Sequence, residues 1–214
     1  LIKLVTKAHL EGFYYKPRID KQLLLNHAEG LIGTTSCLSS EICKAIRHHH
    51  YDAAEALLKE YMHIFEAGDF YVELQRHVNT PIQEEVNGVL KELAAKYHLP
   101  IIATNDVHYA TSEDAETQDV LMAIQMKKDV ADEKRLSMRH DDFSLFSIER
   151  MADLFRDTPE ALDMTEEIAE KCNVELEIGT LHLPYFEVPK GETNAGFLER
   201  LCYEGVTRRY GFPV

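Results

Sequence analysis

The sequence has no tryptophan, only four cysteines, and no excess of positive charge. Each shortage excludes something. No apolar run approaches the ~20 residues that a membrane-spanning helix requires. The cysteines, Cys37, Cys43, Cys172 and Cys202, form no C-x-x-C pair, which removes the usual signatures of structural zinc and of a disulfide framework. Without a secretory signal at the start of the chain, they are expected to be free thiols in a reducing cytoplasm, Cys43, Cys172 and Cys202 as small core residues. The formal charge of −14 argues against a surface built to hold nucleic acid. The small basic clusters (Lys16 with Arg18, Lys127 with Lys128, Arg208 with Arg209) read as solvated faces. No phosphate-cradling glycine loop and no G-x-S-x-G elbow is present.

What is present is ample apolar material, 45% of 214 residues, in a pattern that alternates two periods. Three short apolar or β-branched runs read as strands: Gly30–Thr35, Phe70–Gln75 and Ile101–Thr104. Helical patterns separate them. Asp52 with Glu55 has capping-box spacing, followed by a stripe of Ala54, Leu57, Leu58, Tyr61, Met62 and Phe65. Thr80 before Pro81 reads as a helix start, with Val86, Val89, Leu90, Leu93, Ala94 and Tyr97 facing inward. Strand and helix in alternation imply parallel pairing in an α/β sheet or barrel.

Outside that unit, Leu1, Leu4, Val5 and Ala8 suggest a helix closed by Gly12. Thr111 or Ser112 could cap another, with Val120, Leu121 and Ile124 facing in and Met122 and Met126 in the core. Thr158 and Pro159 begin one more, with Leu162, Thr165, Ile168, Ala169 and Cys172 on one face. The proline- and glycine-bearing stretch Gly179–Thr193 reads as a linker, with a domain boundary near residue 185 and a last helix over Ala195–Arg209. Beginning with Leu1 and ending in "RRYGFPV", the chain is expected to be an internal piece of a longer protein.

Functional groups gather at the carboxyl ends of parallel strands. Cys37 follows the first strand, Glu73 and His77 lie in and after the second, and Asp106 and His108 follow the third. On an extended segment, side chains two apart point the same way, so Asp106 and His108 should face a common site. A thiolate, a carboxylate and an imidazole are ligands for zinc or a similar divalent ion. Plainer readings stand beside this one. Asp106 could cap a turn, Cys37 could be a buried thiol, Glu73 could pair with a nearby cation, and His77 could be a loop histidine. The run His48-His49-His50 reads as a solvated connection with no metal role.

Six ordered stretches carry a resemblance: "EGFYYKPRID", "GLIGTTSCLSSEI", "FYVELQRH" followed by "QEEVN", "LPIIATNDVHY", "DTPEALDMTEEIAEKCNVELE" and "LHLPYFEVPKGET". Together they resemble the family of bacterial DNA polymerase III alpha subunits. The resemblance implies an α/β fold, an incomplete distorted (β/α) barrel of the PHP (polymerase and histidinol phosphatase) type followed by a helical extension. Residues 1–185 would be the later part of that domain, and 186–214 a linker and the start of the polymerase palm.

It also implies that Cys37, Asp106 and His108 are metal ligands, with Glu73, His77 and Arg18 as possible neighbours of the site. The implied ions are zinc or manganese there and magnesium at a palm site outside this sequence. The implied parent is a cytoplasmic DNA-directed polymerase, a nucleotidyltransferase acting on primer-template and deoxynucleotides. Its partners would be other replicase subunits, including a proofreading exonuclease and a sliding clamp. The PHP site would be linked to phosphoester hydrolysis in 3′ to 5′ proofreading. The polymerase aspartates have no counterpart here, so the chain itself is expected to be inactive. A stand-alone PHP phosphoesterase and a non-catalytic PHP scaffold that docks an exonuclease are the alternatives. A barrel lacking its first strands leaves an open sheet edge and uncovered apolar surface. The chain is therefore expected to self-associate. Light scattering over a wide concentration range checks this, and a monomer throughout is the contrary result.

Overall fold

A computed structural model of the protein describes residues 1–181 and 183–211. The chain divides into two compact units, Leu1–Cys172 and the residues from Asn173 onward. That division falls ahead of the residue-185 boundary suggested by linker composition.

The first unit is built on a sheet of three parallel strands in the order β1-β2-β3. These are β1 (Gly33–Thr34), β2 (Phe70–Leu74) and β3 (Ile101–Ala103). Gly33 aligns with Phe70, and Val72 with Ile101. Two helices, α3 (Glu41–Arg47) and α4 (Tyr51–Ile64), connect β1 to β2, and α5 (Pro81–Tyr97) connects β2 to β3. Preceding them are α1 (Ile2–Leu10) and α2 (Lys21–Leu25). After β3 come a 3-10 turn (Ser112–Asp114), α6 (Ala115–Met126), α7 (Ile148–Leu154) and α8 (Glu160–Lys171). The second unit holds α9 (Asn194–Tyr210).

The strand period of two gives the sheet unlike faces. Phe70, Val72 and Leu74 point into the main core with Ile42, Ile46, Leu58, Val86, Leu90 and Ala103. Phe155 and Ala161 close the same core from the α7–α8 region. Tyr71, Glu73 and Gln75 point to the opposite face, which therefore carries polar groups toward the strand ends where the first face is dry. Gly33 is needed at its position: a Cβ there would lie 2.4 Å from the Phe65 ring, which stacks on Phe70. On α5, Asn87 Nδ2 donates to the Gln75 carbonyl at 2.8 Å, and Gln83 Nε2 donates to Asn87 Oδ1 at 3.0 Å. This buried polar pair satisfies the main chain where β2 ends.

Several local expectations change. Asp52 is not the α4 cap; the helix begins two residues earlier, at Tyr51, with His50 at the cap position. Thr80 does precede Pro81 at the start of α5, but its hydroxyl turns to Asp141 (3.4 Å) instead of capping the helix. Cys172 and Cys202 are exposed, and Cys43 alone of the three expected core thiols is buried. The largest reversal is in α6. Its buried positions are Asp119 and Ala123, while Val120, Leu121 and Ile124 are exposed. The cause is a partner from a distant loop. Arg135 meets Asp119 with two guanidinium nitrogens, one at 2.7 Å, and Ser137 Oγ donates to the same carboxylate at 2.7 Å. A carboxylate so served tolerates burial that it could not otherwise bear.

Two outcomes follow. Leu58 is fully buried in the main core, so Leu58→Ala should cost about 2–5 kcal/mol in a denaturant titration. The Arg135 guanidinium, then the Ser137 hydroxyl, hold the Asp119 carboxyl down to about 2, from an ordinary 3.8. Its contribution to stability is thus complete above about pH 4 and fades as pH falls toward about 2. Urea midpoints measured across that window should fall less steeply for Asp119→Asn than for the unmodified chain.

Candidate functional site at the strand ends

The carboxyl ends of the three strands meet at Glu73. Thr34 Oγ1, from β1, donates to Glu73 Oε2 at 2.5 Å. Thr104 Oγ1, just past β3, donates to Glu73 Oε1 at 2.5 Å, and Gln75 Nε2 donates to the same oxygen at 2.9 Å. The Glu73 backbone N–H donates to Thr35 Oγ1 at 2.9 Å. A half-buried carboxylate with three side-chain donors has both oxygens satisfied. Glu73 therefore ties the strands together rather than pairing with a nearby cation, the plainer alternative.

Asp106 and His108 do come together, by a different route from strand alternation. Asp106 has φ +59°, in the left-handed region, so the segment turns instead of running on extended. The turn sets His108 Nδ1 2.9 Å from the Asp106 carbonyl and 3.8 Å from Asp106 Oδ1. A carbonyl only accepts, so Nδ1 carries a proton in this contact. His77 joins them: its Nε2 lies 3.6 Å from Asp106 Oδ2, and its Nδ1 is buried without a hydrogen-bond partner among the described residues. Burial pushes the His77 imidazole below its ordinary value, against the pull of Asp106 and Asp141.

A strap over residues 141–146 lies against the turn. His108 N–H donates to the Phe143 carbonyl at 2.9 Å, and Phe143 N–H donates to the Tyr109 hydroxyl at 2.9 Å. Asn105 clamps the strap from both sides of its amide: Nδ2 donates to the Ser144 carbonyl at 3.0 Å, and Oδ1 accepts from Phe146 N–H at 2.7 Å. The Phe143 ring thereby sits among three imidazoles, with centroids 4.7 Å from His77, 5.5 Å from His108 and 5.7 Å from His140.

The close contacts of Cys37 and Arg18 are local ones. Cys37 Sγ, half-buried, contacts Ser39 Oγ at 2.9 Å on the loop after β1. Arg18 is exposed, with its guanidinium carbon 5.4 Å from the centre of the Tyr14 ring. The backbone carbonyl of Arg18 crowds Gly12, so the α1 loop places this residue and the strand ends do not. The donors are chemically suited to a divalent ion, and the orphaned His77 nitrogen is the kind of group such an ion satisfies. Their arrangement is not: among the described residues no three His, Cys, Asp or Glu side chains gather into a set able to hold a metal ion.

The sequence reading missed Thr34, Gln75, Thr104, Asn105 and Phe143. Thr104 and Asn105 lie beside the quoted Asp106, and polar residues at a strand's carboxyl end were the available signal. Phe143 had none, because nothing local says which strap returns to cover the turn.

Known proteins extend this picture. A PHP domain model matches residues 1–77, a span that holds Cys37, Glu73 and His77 and stops short of Asp106. The chain is 43% identical over 98% of its length to the DNA polymerase III subunit alpha of Thermus aquaticus, covering 18% of that protein. It is 37% identical over 98% of its length to the subunit of the same name from Treponema pallidum, covering 18%. With that of Aquifex aeolicus it shares 37% identity over 98% of its length, covering 19%. The chain thus spans about a fifth of these relatives, and alignment continues along almost all of it. The chain is therefore similar to DNA polymerase III alpha subunits along almost all of its length, with a PHP-domain match in its first 77 residues.

Proposed function

We propose that the chain is the PHP-bearing region of a replicative DNA polymerase. The observation that carries this is similarity to alpha subunits along 98% of the chain, at 43% identity in one relative. The parent would extend a primer on a DNA template with deoxynucleotides, using magnesium at a palm site supplied by other parts of the protein. In this reading residues 1–185 belong to an incomplete distorted (β/α) barrel, and 186–214 lead toward the palm. The parent acts in the cytoplasm with the other replicase subunits, including a proofreading exonuclease and a sliding clamp. No helix among the described residues is long and apolar enough to cross a membrane.

Within that protein, Cys37, Asp106 and His108 are assigned as donors to a divalent-ion site, zinc or manganese, linked to phosphoester hydrolysis at DNA 3′ ends. Their support is the donor chemistry, their place at strand ends and the contact of Asp106 with His108. A second reading is a scaffold that docks the exonuclease, with the strand ends held by the bonds of Thr34 and Thr104 to Glu73.

The two readings part experimentally in a full-length alpha subunit. Primer extension should be unchanged by Asp106→Ala with His108→Ala. Under the metal reading, bound zinc or manganese and manganese-dependent 3′ trimming should each fall about tenfold or more. Unchanged metal content and trimming would leave the scaffold reading. Primer extension by the 214-residue chain alone would overturn the assignment of polymerase chemistry to the rest of the parent.

A further inference from the structure

The three successive histidines between α3 and α4 take no part in the site above. The backbone explains what their side chains do. His48 N–H donates to the Lys44 carbonyl (3.1 Å), His49 N–H to Ile46 (2.8 Å) and His50 N–H to Ala45 (2.9 Å). The His50 carbonyl then accepts from Ala54 N–H at 3.0 Å, opening α4. His49 has φ +58°, the left-handed conformation that usually closes a helix and usually belongs to glycine or asparagine. Every amide of the turn is bonded within it, so the backbone is held at both helix ends.

This turn places His48 and His50 on one side and His49 on the other. The rings of His48 and His50 have centroids 6.3 Å apart, tilted by 38°. His49 points away, with Nδ1 3.0 Å from the Tyr51 hydroxyl and 3.7 Å from Glu85 Oε1. All three are exposed. Two imidazoles on one tetrahedral ion, with metal–nitrogen bonds of about 2 Å, hold their centroids about 5 Å apart. Small side-chain rotations close the difference, with no movement of the bonded backbone.

We propose that His48 and His50 form a two-imidazole chelate for a borderline divalent transition metal, copper(II) or zinc, at the α3–α4 turn. Imidazole suits these ions and not magnesium, so the site selects by ligand chemistry. Water would complete the coordination shell, since the rings are exposed. The site is separate from the Asp106–His108 donors and does not depend on their role.

The test uses the chain purified without an affinity tag and titrated with copper(II) chloride and zinc chloride by calorimetry. The expected result includes a site, distinct from any at Asp106 and His108, whose affinity falls about tenfold or more in His48→Gln and in His50→Gln. It should persist in His49→Asn, which keeps a residue suited to the left-handed turn, and in Asp106→Ala with His108→Ala. Copper(II) electron paramagnetic resonance should show superhyperfine coupling to two nitrogens, reduced to one in either single variant. Circular dichroism checks that each variant is folded. Unchanged affinity in the folded double variant His48→Gln with His50→Gln, or a spectrum without two coupled nitrogens in the unmodified chain, would overturn the proposal.

Discussion

A carboxylate at the centre of a parallel sheet decides how the strand ends are presented. Glu73 accepts from Thr34 on one side and Thr104 on the other, so β1 and β3, which do not touch, are both referenced to β2. Parallel strands end in unpaired main-chain groups and need such a device more than antiparallel ones, whose turns tie neighbours directly. The loops leaving the sheet inherit this order. Cys37 and Asp106 sit within a few residues of Thr34 and Thr104, and so are positioned through hydroxyls bound to one side chain. A single anion replaces the hydrophobic packing that holds the other face.

Much of this architecture was legible in the sequence. The three strands fall inside the predicted runs, because β-branched stretches bounded by turn residues have few other ways to fold. Asp106 and His108 also come together as expected. The mechanism differed: a left-handed residue makes the turn, and no local pattern announces one at an aspartate. What failed was inference about partners. Periodicity shows that α6 has an apolar stripe but not what lies opposite it, and Arg135 captured the polar side instead. Exposed Cys172 and Cys202 teach the same lesson, since residue type carries a tendency to burial and the neighbours decide.

The strap that carries Phe143 shows how a site can be finished from far along the chain. Asn105 reads both a carbonyl and an amide of the strap, a two-point contact that sets register as well as proximity. The apolar ring lies beside three imidazoles, and burial lowers the proton affinity of His77, the most buried of them.

The Asp119–Arg135 contact has a consequence for variation. It joins positions 16 residues apart and buries the junction, so it acts as the neck of a small lobe. Entropy charges little for lengthening a lobe already closed at its neck, since the cost grows only with the logarithm of contour length. Residues 128–134 are therefore where insertions can accumulate without disturbing the sheet, while the two residues at the neck cannot drift independently of each other.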